Sequence, residues 1–345
     1  MAALLANCWA AYPDVEPHVL TLFSDDLFFS LDPKVQLHSL GLKPNVRGGR
    51  ELRLARALYD FRTSIEALRP DFILSFMNKY NVFALAALLG SKWPVIVSER
   101  DSPTEPARQI LWALRTLLYP TSRGIITQSE EGASALRARR IHPIVVAIPN
   151  PVHVSHAPQV RREKIVLNVA RLVPKKGHDD LLRAFAIARQ QDWRLVICGE
   201  GPLRPALQSL ADSLSIGDAV EFAGTVKDVS SFYARASIFA FSSKFEGFPN
   251  ALAEAMISGL AVASYDCPTG PAEMITHGKN GLLSKTGDYL ELAHHLQELM
   301  RNDLLRIRLG NTASALRAAL APSEIARQYF DFCVARVPMT TADMV

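Results

Sequence analysis

The chain has 345 residues, 49% apolar and 21% charged, with a formal net charge of +4 and a pI near 8.9. That length predicts two domains of ordinary size with substantial cores. No apolar run approaches ~18 residues, which excludes a transmembrane helix, and so mild a basicity gives no reason to expect a nucleic-acid partner.

In chain order, the apolar start MAALLANCWAAYP lacks a basic leader and a cleavage site. Residues 2–11 therefore read as part of a core helix and not as a signal peptide. Strands are predicted at 18–23 (HVLTLF), 71–76 (DFILSF), 94–99 (PVIVSE), 124–129 (GIITQS) and 143–149 (PIVVAIP). Helices are predicted over 50–68 and 104–118, and FALAALLG (83–90) has the length of a buried helix. In VRGGRELRLAR, Arg47, Arg50, Arg53 and Arg56 recur every third residue. This stripe is either a solvated helix face or a surface for anionic lipid or a pyrophosphate-bearing acceptor, at about 1 kcal/mol per basic residue.

The stretch 149–163 is rich in Pro and polar residues and reads as an interdomain linker. Its His153 and His156 have no further ligands nearby, so surface polarity is the better reading than metal binding. Strands resume at 164–170 (KIVLNVA), 194–199 (RLVICG), 219–224 (AVEFAG), 238–243 (IFAFSS) and 261–266 (AVASYD). Leu181, Leu182, Phe185 and Ala188 share one face of a helix at 178–191, and a last helix follows Pro322. Such alternation predicts an α/β protein: two doubly wound domains with mostly parallel sheets, ligand lying at the strand carboxyl ends in a cleft between them. Cys8, Cys198, Cys267 and Cys333 are scattered without CxxC spacing, which predicts reduced, cytoplasmic thiols and no zinc site.

The run KFEGFPNALAEAM (244–256) is the most informative feature. Glu246 lies in a Gly/Pro loop after an apolar strand. Glu254 lies in the helix opening near Pro249, and the eight-residue spacing predicts that it sits two turns deeper on the same side. Carboxylates beside free helix N–H groups suit sugar or ribose hydroxyls. The other strand-end loops agree. RLVPKKGH places Arg171 and Lys176 five apart before a helix start, a set suited to pyrophosphate. GEGP carries Gly199 and Gly201, and Gly224-Thr225-Val226 offers backbone for pairing with a base.

VARLVPKKG, GEGP, FAGTV and EGFPNALAEAM, in this order and spacing, resemble the family-4 retaining glycosyltransferases of the GT-B fold. The resemblance spans residues 1–337 and is most specific from 164 to 290. The segment SERDSP (98–103) is similar to a bacterial subgroup acting on lipid-linked glycans, which includes N-acetylgalactosaminyltransferases. The resemblance implies an acceptor-side domain over 1–152, a nucleotide-sugar domain over 153–320, and a final helix over 321–337 returning to the first. It implies that Arg171 and Lys176 neutralise the donor diphosphate and that Glu254 holds the ribose. Glu246 and the N–H groups of Gly247, Phe248 and Asn250 would hold the transferred sugar, with Gly201 and Val226 near the phosphates and base. Glu99, Arg100 and Asp101 would face the acceptor.

The implied reaction moves a sugar, GalNAc or another hexose or HexNAc, from a UDP-sugar to a polyprenyl-diphosphate-linked saccharide, without a metal or other cofactor. It would take place in the cytoplasm or at the inner face of its membrane. Met1 matches the middle of the family's first helix, so the preceding strand and Gly-rich loop are expected to be missing. The first sheet should then show unpaired backbone and an apolar groove, with poor turnover and ready aggregation. Other readings are a catalytically impaired nucleotide-sugar binder and, in the same fold, a UDP-sugar epimerase. A nicotinamide enzyme lacks support, because neither half carries G-x-G-x-x-G after its first strand.

Overall fold

The computed structural model describes residues 1–23, 29–42, 50–100, 109–152 and 160–337. It divides into two compact units, 1–151 with 322–345, and 152–321. Asp101, Arg47, His153 and His156 lie outside the described residues.

The first unit opens with helix α1 (Ala2–Trp9) and the parallel pair β1 (His18–Thr21) and β2 (Gln36–Ser39). It continues through α2 (Arg50–Leu68), β3 (Ile73–Phe76), α3 (Asn78–Ala87), β4 (Val95–Ser98), α4 (Gln109–Leu118), β5 (Gly124–Thr127), α5 (Glu130–Ala138) and β6 (Val145–Ala147). Strands β3-β4-β5-β6 form one parallel sheet in chain order. Alternation along the strands divides the core in two. Val95, Val97 and Ile125 face α2, α3 and α5, while Ile96 and Ile126 face the opposite side. Helix α5 starts where Ser129 Oγ accepts from the Gly132 N–H at 3.1 Å.

The second unit runs β7 (Ile165–Val169), α6 (His178–Ala188), β8 (Arg194–Cys198), α7 (Arg204–Ser213), β9 (Val220–Gly224), α8 (Ser230–Arg235) and β10 (Ile238–Phe241). It then adds α9 (Asn250–Ile257), β11 (Ala261–Asp266), α10 (Pro271–Met274), β12 (Leu282–Lys285), α11 (Tyr289–Arg301), α12 (Asp303–Ala313) and α13 (Leu316–Ala319). All six strands are parallel, in the order β12-β11-β10-β7-β8-β9. Helices α6, α7, α11 and α12 cover one face around Phe185, Ile197 and Leu296. Helices α8, α9 and α13 cover the other around Phe239, Leu252 and Val262. Counted from β7, the order is 3-2-1-4-5-6, which reverses direction between β7 and β10. In doubly wound sheets the ligand crevice opens at the carboxyl ends of the two strands flanking that reversal.

The last helix, α14 (Pro322–Val334), belongs to the first unit. Its Tyr329 and Phe332 pack on the α1 side of the sheet, and Trp9 Nε1 donates to the Ala326 carbonyl at 2.9 Å. The β1-β2 pair is a sheet separate from β3-β6. A largely apolar groove of ≈ 1440 Å³ is lined by β1 and β3, by Leu5, Ala6 and Trp9 of α1, and by Phe61 and Ile65 of α2.

Candidate active site

The loops after β7 and β10 meet at the strand-order reversal of the second unit. After β7, residues 174–176 make a 3-10 turn that ends at Gly177 (φ 62°) and opens α6. A Cβ on Gly177 would lie 2.2 Å from the Ser242 carbonyl oxygen, so only glycine lets the two loops approach. Ser242 Oγ donates to the Lys176 carbonyl at 2.9 Å, and the Lys244 N–H donates to the Lys175 carbonyl at 2.8 Å. This stitching brings Lys176 Nζ to 2.5 Å from Glu246 Oε1, with the side chains only 15% and 11% exposed. Arg171, earlier in the same loop after β7, is exposed, and among the described residues no bond engages its guanidinium.

Helix α9 starts at Asn250, so Glu254 lies one turn inside it, not two turns beyond Glu246. Burial pushes the Glu254 carboxyl up from its ordinary value, and the Tyr233 hydroxyl, donating to Oε2 at 2.9 Å, opposes that shift. Pro249 has φ −81° and ψ 73°, and around it the Asn250 N–H donates to the Phe248 carbonyl at 3.0 Å. That amide is therefore spent within its own turn and is not offered to a sugar. The N–H groups of Gly247 and Phe248 carry no bond among the described residues. Thr269 Oγ1 donates to the Glu246 carbonyl, which ties the loop after β11 to this one.

The GEGP glycines answer to contacts inside the chain. A Cβ would lie 1.9 Å from the Ala170 oxygen at Gly199 and 2.4 Å from the Leu172 oxygen at Gly201. Both let the loop after β8 pack on the loop after β7, next to Arg171. Val226 is half-buried against the α8–α9 side of the core.

The first-unit residues read as acceptor contacts divide. Glu99 is buried, 2.7 Å from Arg115, and accepts from the Tyr119 hydroxyl at 3.0 Å. A carboxylate paired in this way is part of the core and not an acceptor contact. Arg100 is half-buried, donating to Tyr329 Oη at 3.3 Å and lying over the Phe76 ring.

Two family models match the chain: "Glycosyl transferase 4-like domain" over residues 3–151 and "Glycosyl transferases group 1" over 155–315. The chain belongs to the group 1, family-4-like glycosyltransferases. It is 28% identical over 325 residues to a Campylobacter jejuni N-acetylgalactosaminyltransferase named for an N,N'-diacetylbacillosaminyl-diphospho-undecaprenol acceptor, covering 89% of this chain and 88% of that one. HepE from Anabaena, solved with UDP, superposes with a TM-score of 0.78 at 18% identity, covering 97% of this chain and 96% of that one. A point mutant of S. aureus TarM superposes with a TM-score of 0.69 at 19% identity, covering 80% of this chain and only 58% of that one. These likenesses give the GT-B fold. Among the described residues, no group of three His, Cys, Asp or Glu side chains could hold a metal ion.

His178, the first residue of α6, is buried with neither ring nitrogen partnered among the described residues. Burial, with Lys176 nearby, lowers its pKa from 6.5 to about 4. The unfolded chain therefore binds the extra proton first, and stability present above pH 6.5 is lost as pH falls toward 4. The expected loss from this residue is roughly 3 kcal/mol. Urea unfolding at pH 7.5 and pH 4.5 checks it: His178→Leu should show a clearly smaller pH dependence than the wild type.

Proposed function

We propose that this glycosyltransferase moves a sugar, GalNAc or another hexose or HexNAc, from a UDP-sugar to a polyprenyl-diphosphate-linked saccharide, with retention of anomeric configuration and without a metal cofactor. The observation that carries the reading is the half-buried Lys176–Glu246 pair at the strand-order reversal of the second unit. Arg171 and Lys176 neutralise the leaving diphosphate, and their charge supplies the leaving-group stabilisation that the reaction needs. Glu246 and the amides of Gly247 and Phe248 accept and donate to the transferred sugar. Glu254 holds the ribose, Gly201 and Val226 border the phosphates and base, and Arg100 serves the acceptor. The UDP bound to HepE and the diphospho-undecaprenol in the name of the Campylobacter relative support this choice of donor and acceptor.

A screen of UDP-sugars against a polyprenyl-diphosphate saccharide, scored by UDP release and by the anomeric configuration of the product, tests the reading with and without EDTA. Turnover of a nicotinamide, epimerisation without transfer, or loss of turnover in EDTA would each count against it.

The lipid acceptor also suggests where the enzyme works: at the inner face of the cytoplasmic membrane. Helix α4 exposes Ile110, Leu114 and Leu117 on one stripe, and α2 exposes Leu52, Leu54 and Tyr59 beside Arg53 and Arg56. Exposed apolar side chains with neighbouring cations suit an anionic bilayer. Co-sedimentation with phosphatidylglycerol vesicles should exceed that with phosphatidylcholine vesicles, and the double variant Ile110→Glu, Leu117→Glu should abolish the excess. No lipid binding in either vesicle would remove the membrane from the proposal.

A further inference from the structure

Tyr233 is not singled out by any sequence motif, yet the residue is only 1% exposed and its hydroxyl is aimed at α9. One phenolic proton faces two acceptors, Glu254 Oε2 at 2.9 Å and the Ala251 carbonyl at 3.3 Å. The shorter contact is to an ionisable carboxylate, and charge-assisted bonds are the stronger kind, so the proton goes to Glu254. The ring itself is fixed by Phe239 of β10, with centroids 6.1 Å apart. Among the described residues nothing bonds to the other carboxylate oxygen, Oε1.

We propose that Tyr233 is a positioning residue for donor binding: it occupies Oε2 of Glu254 and thereby presents Oε1 as the acceptor for a ribose hydroxyl of the nucleotide. The inference rests on the assignment of Glu254 to the ribose. Two physical effects follow from one bond. Rotation of the carboxylate about its terminal torsion, which is broad for Glu, is stopped at one orientation. A hydrogen bond donated to the charged form also favours that form, opposing the burial that favours the protonated one. Without Tyr233, Glu254 keeps its proton to higher pH, and a protonated carboxyl is a poorer acceptor for a hydroxyl donor.

The test is UDP binding by calorimetry between pH 5.5 and 8.5, for the wild type, Tyr233→Phe, Glu254→Gln and the double variant. Each variant is expressed as a ratio to the wild type at the same pH, which cancels the titration of UDP itself. Tyr233→Phe keeps the ring and removes only the hydroxyl. It should weaken UDP about tenfold at pH 6 and less at pH 8.5, as expected for a lost bond to a charged acceptor. The double variant should bind no worse than Glu254→Gln alone, because Tyr233 acts only through that carboxylate. The discrimination between UDP and 2′,3′-dideoxy-UDP should shrink in Tyr233→Phe. If Glu254→Gln weakens UDP while Tyr233→Phe does nothing, or weakens it equally at every pH, the positioning role fails and the ribose assignment stands. Should Glu254→Gln leave UDP affinity unchanged, the ribose assignment fails and the role of Tyr233 with it.

Discussion

Lys176→Ala is expected to lower kcat/KM by about 10²- to 10³-fold, the cost of removing one preorganised group from a developing negative charge. Two losses act together. On the proposed assignment, the donor diphosphate loses a cation whose backbone is pinned by Ser242 Oγ and whose ammonium is held at 2.5 Å from Glu246. The Glu246 carboxylate, only 11% exposed, then faces the diphosphate without its counter-charge. Repulsion adds to lost attraction, so Lys176→Ala should weaken UDP as well as slow transfer. Arg171→Ala should act in the same direction and more weakly, because that side chain is exposed and water replaces part of what it gives.

Glu246→Gln separates the two contributions. On the proposed assignment it removes the carboxylate that holds the transferred sugar, so kcat should fall, but it frees Lys176 for the phosphates and should leave UDP affinity equal or tighter. Because Lys176 and Glu246 are in contact, the double variant should not be the sum of the singles. Steady-state kinetics with UDP-sugar and direct UDP binding measure both quantities. Unchanged UDP affinity in both Lys176→Ala and Arg171→Ala would remove the diphosphate from this site.

The second unit was legible because its strands are apolar on both faces, as parallel strands under two helix layers must be. IVLNV, RLVIC and IFAF are bounded by turn residues, and each predicted run contains the observed strand. The strands that escaped notice are edges. β2 (QLHS) and β12 (LLSK) are four residues long, pair on one side only and mix polar with apolar positions, so neither shows a strand period.

In the site, sequence order identified which loops gather, but not what each atom does. Spacing alone put Glu254 two turns below Glu246, whereas Pro249 starts the helix so late that only one turn separates Glu254 from its beginning. The amide of Asn250 looked available because nothing in EGFPN reveals the turn that uses it. For Gly201, the sequence does not reveal that the close Leu172 backbone is what requires glycine there. Tyr233 lies 21 residues before Glu254, a contact that only the packing of α8 beside α9 creates.

Glu99 carries the same lesson in the first unit, and its substitution should produce the largest loss of stability. Glu99 directly follows β4 and projects inward, where Arg115 of α4 meets it at 2.7 Å, both side chains 3% exposed. Arg115 also lies 4.3 Å from the Trp112 ring centroid and 5.2 Å from that of Tyr119, whose hydroxyl donates to Glu99. Removing one partner of a buried ion pair leaves the other charge uncompensated and costs about 3–5 kcal/mol. Glu99→Ala should therefore lower the Tm of this unit by roughly 10 °C, given a few degrees per kcal/mol for a domain of this size. Replacing both partners is a different experiment. Glu99→Leu with Arg115→Met removes both desolvated charges and keeps apolar volume, so most of the stability should return. Scanning calorimetry on the three variants, with UDP binding as a control for the second unit, reads this directly. Glu99 as an acceptor contact makes the opposite forecast: an unchanged Tm, a raised acceptor KM, and no recovery in the double variant.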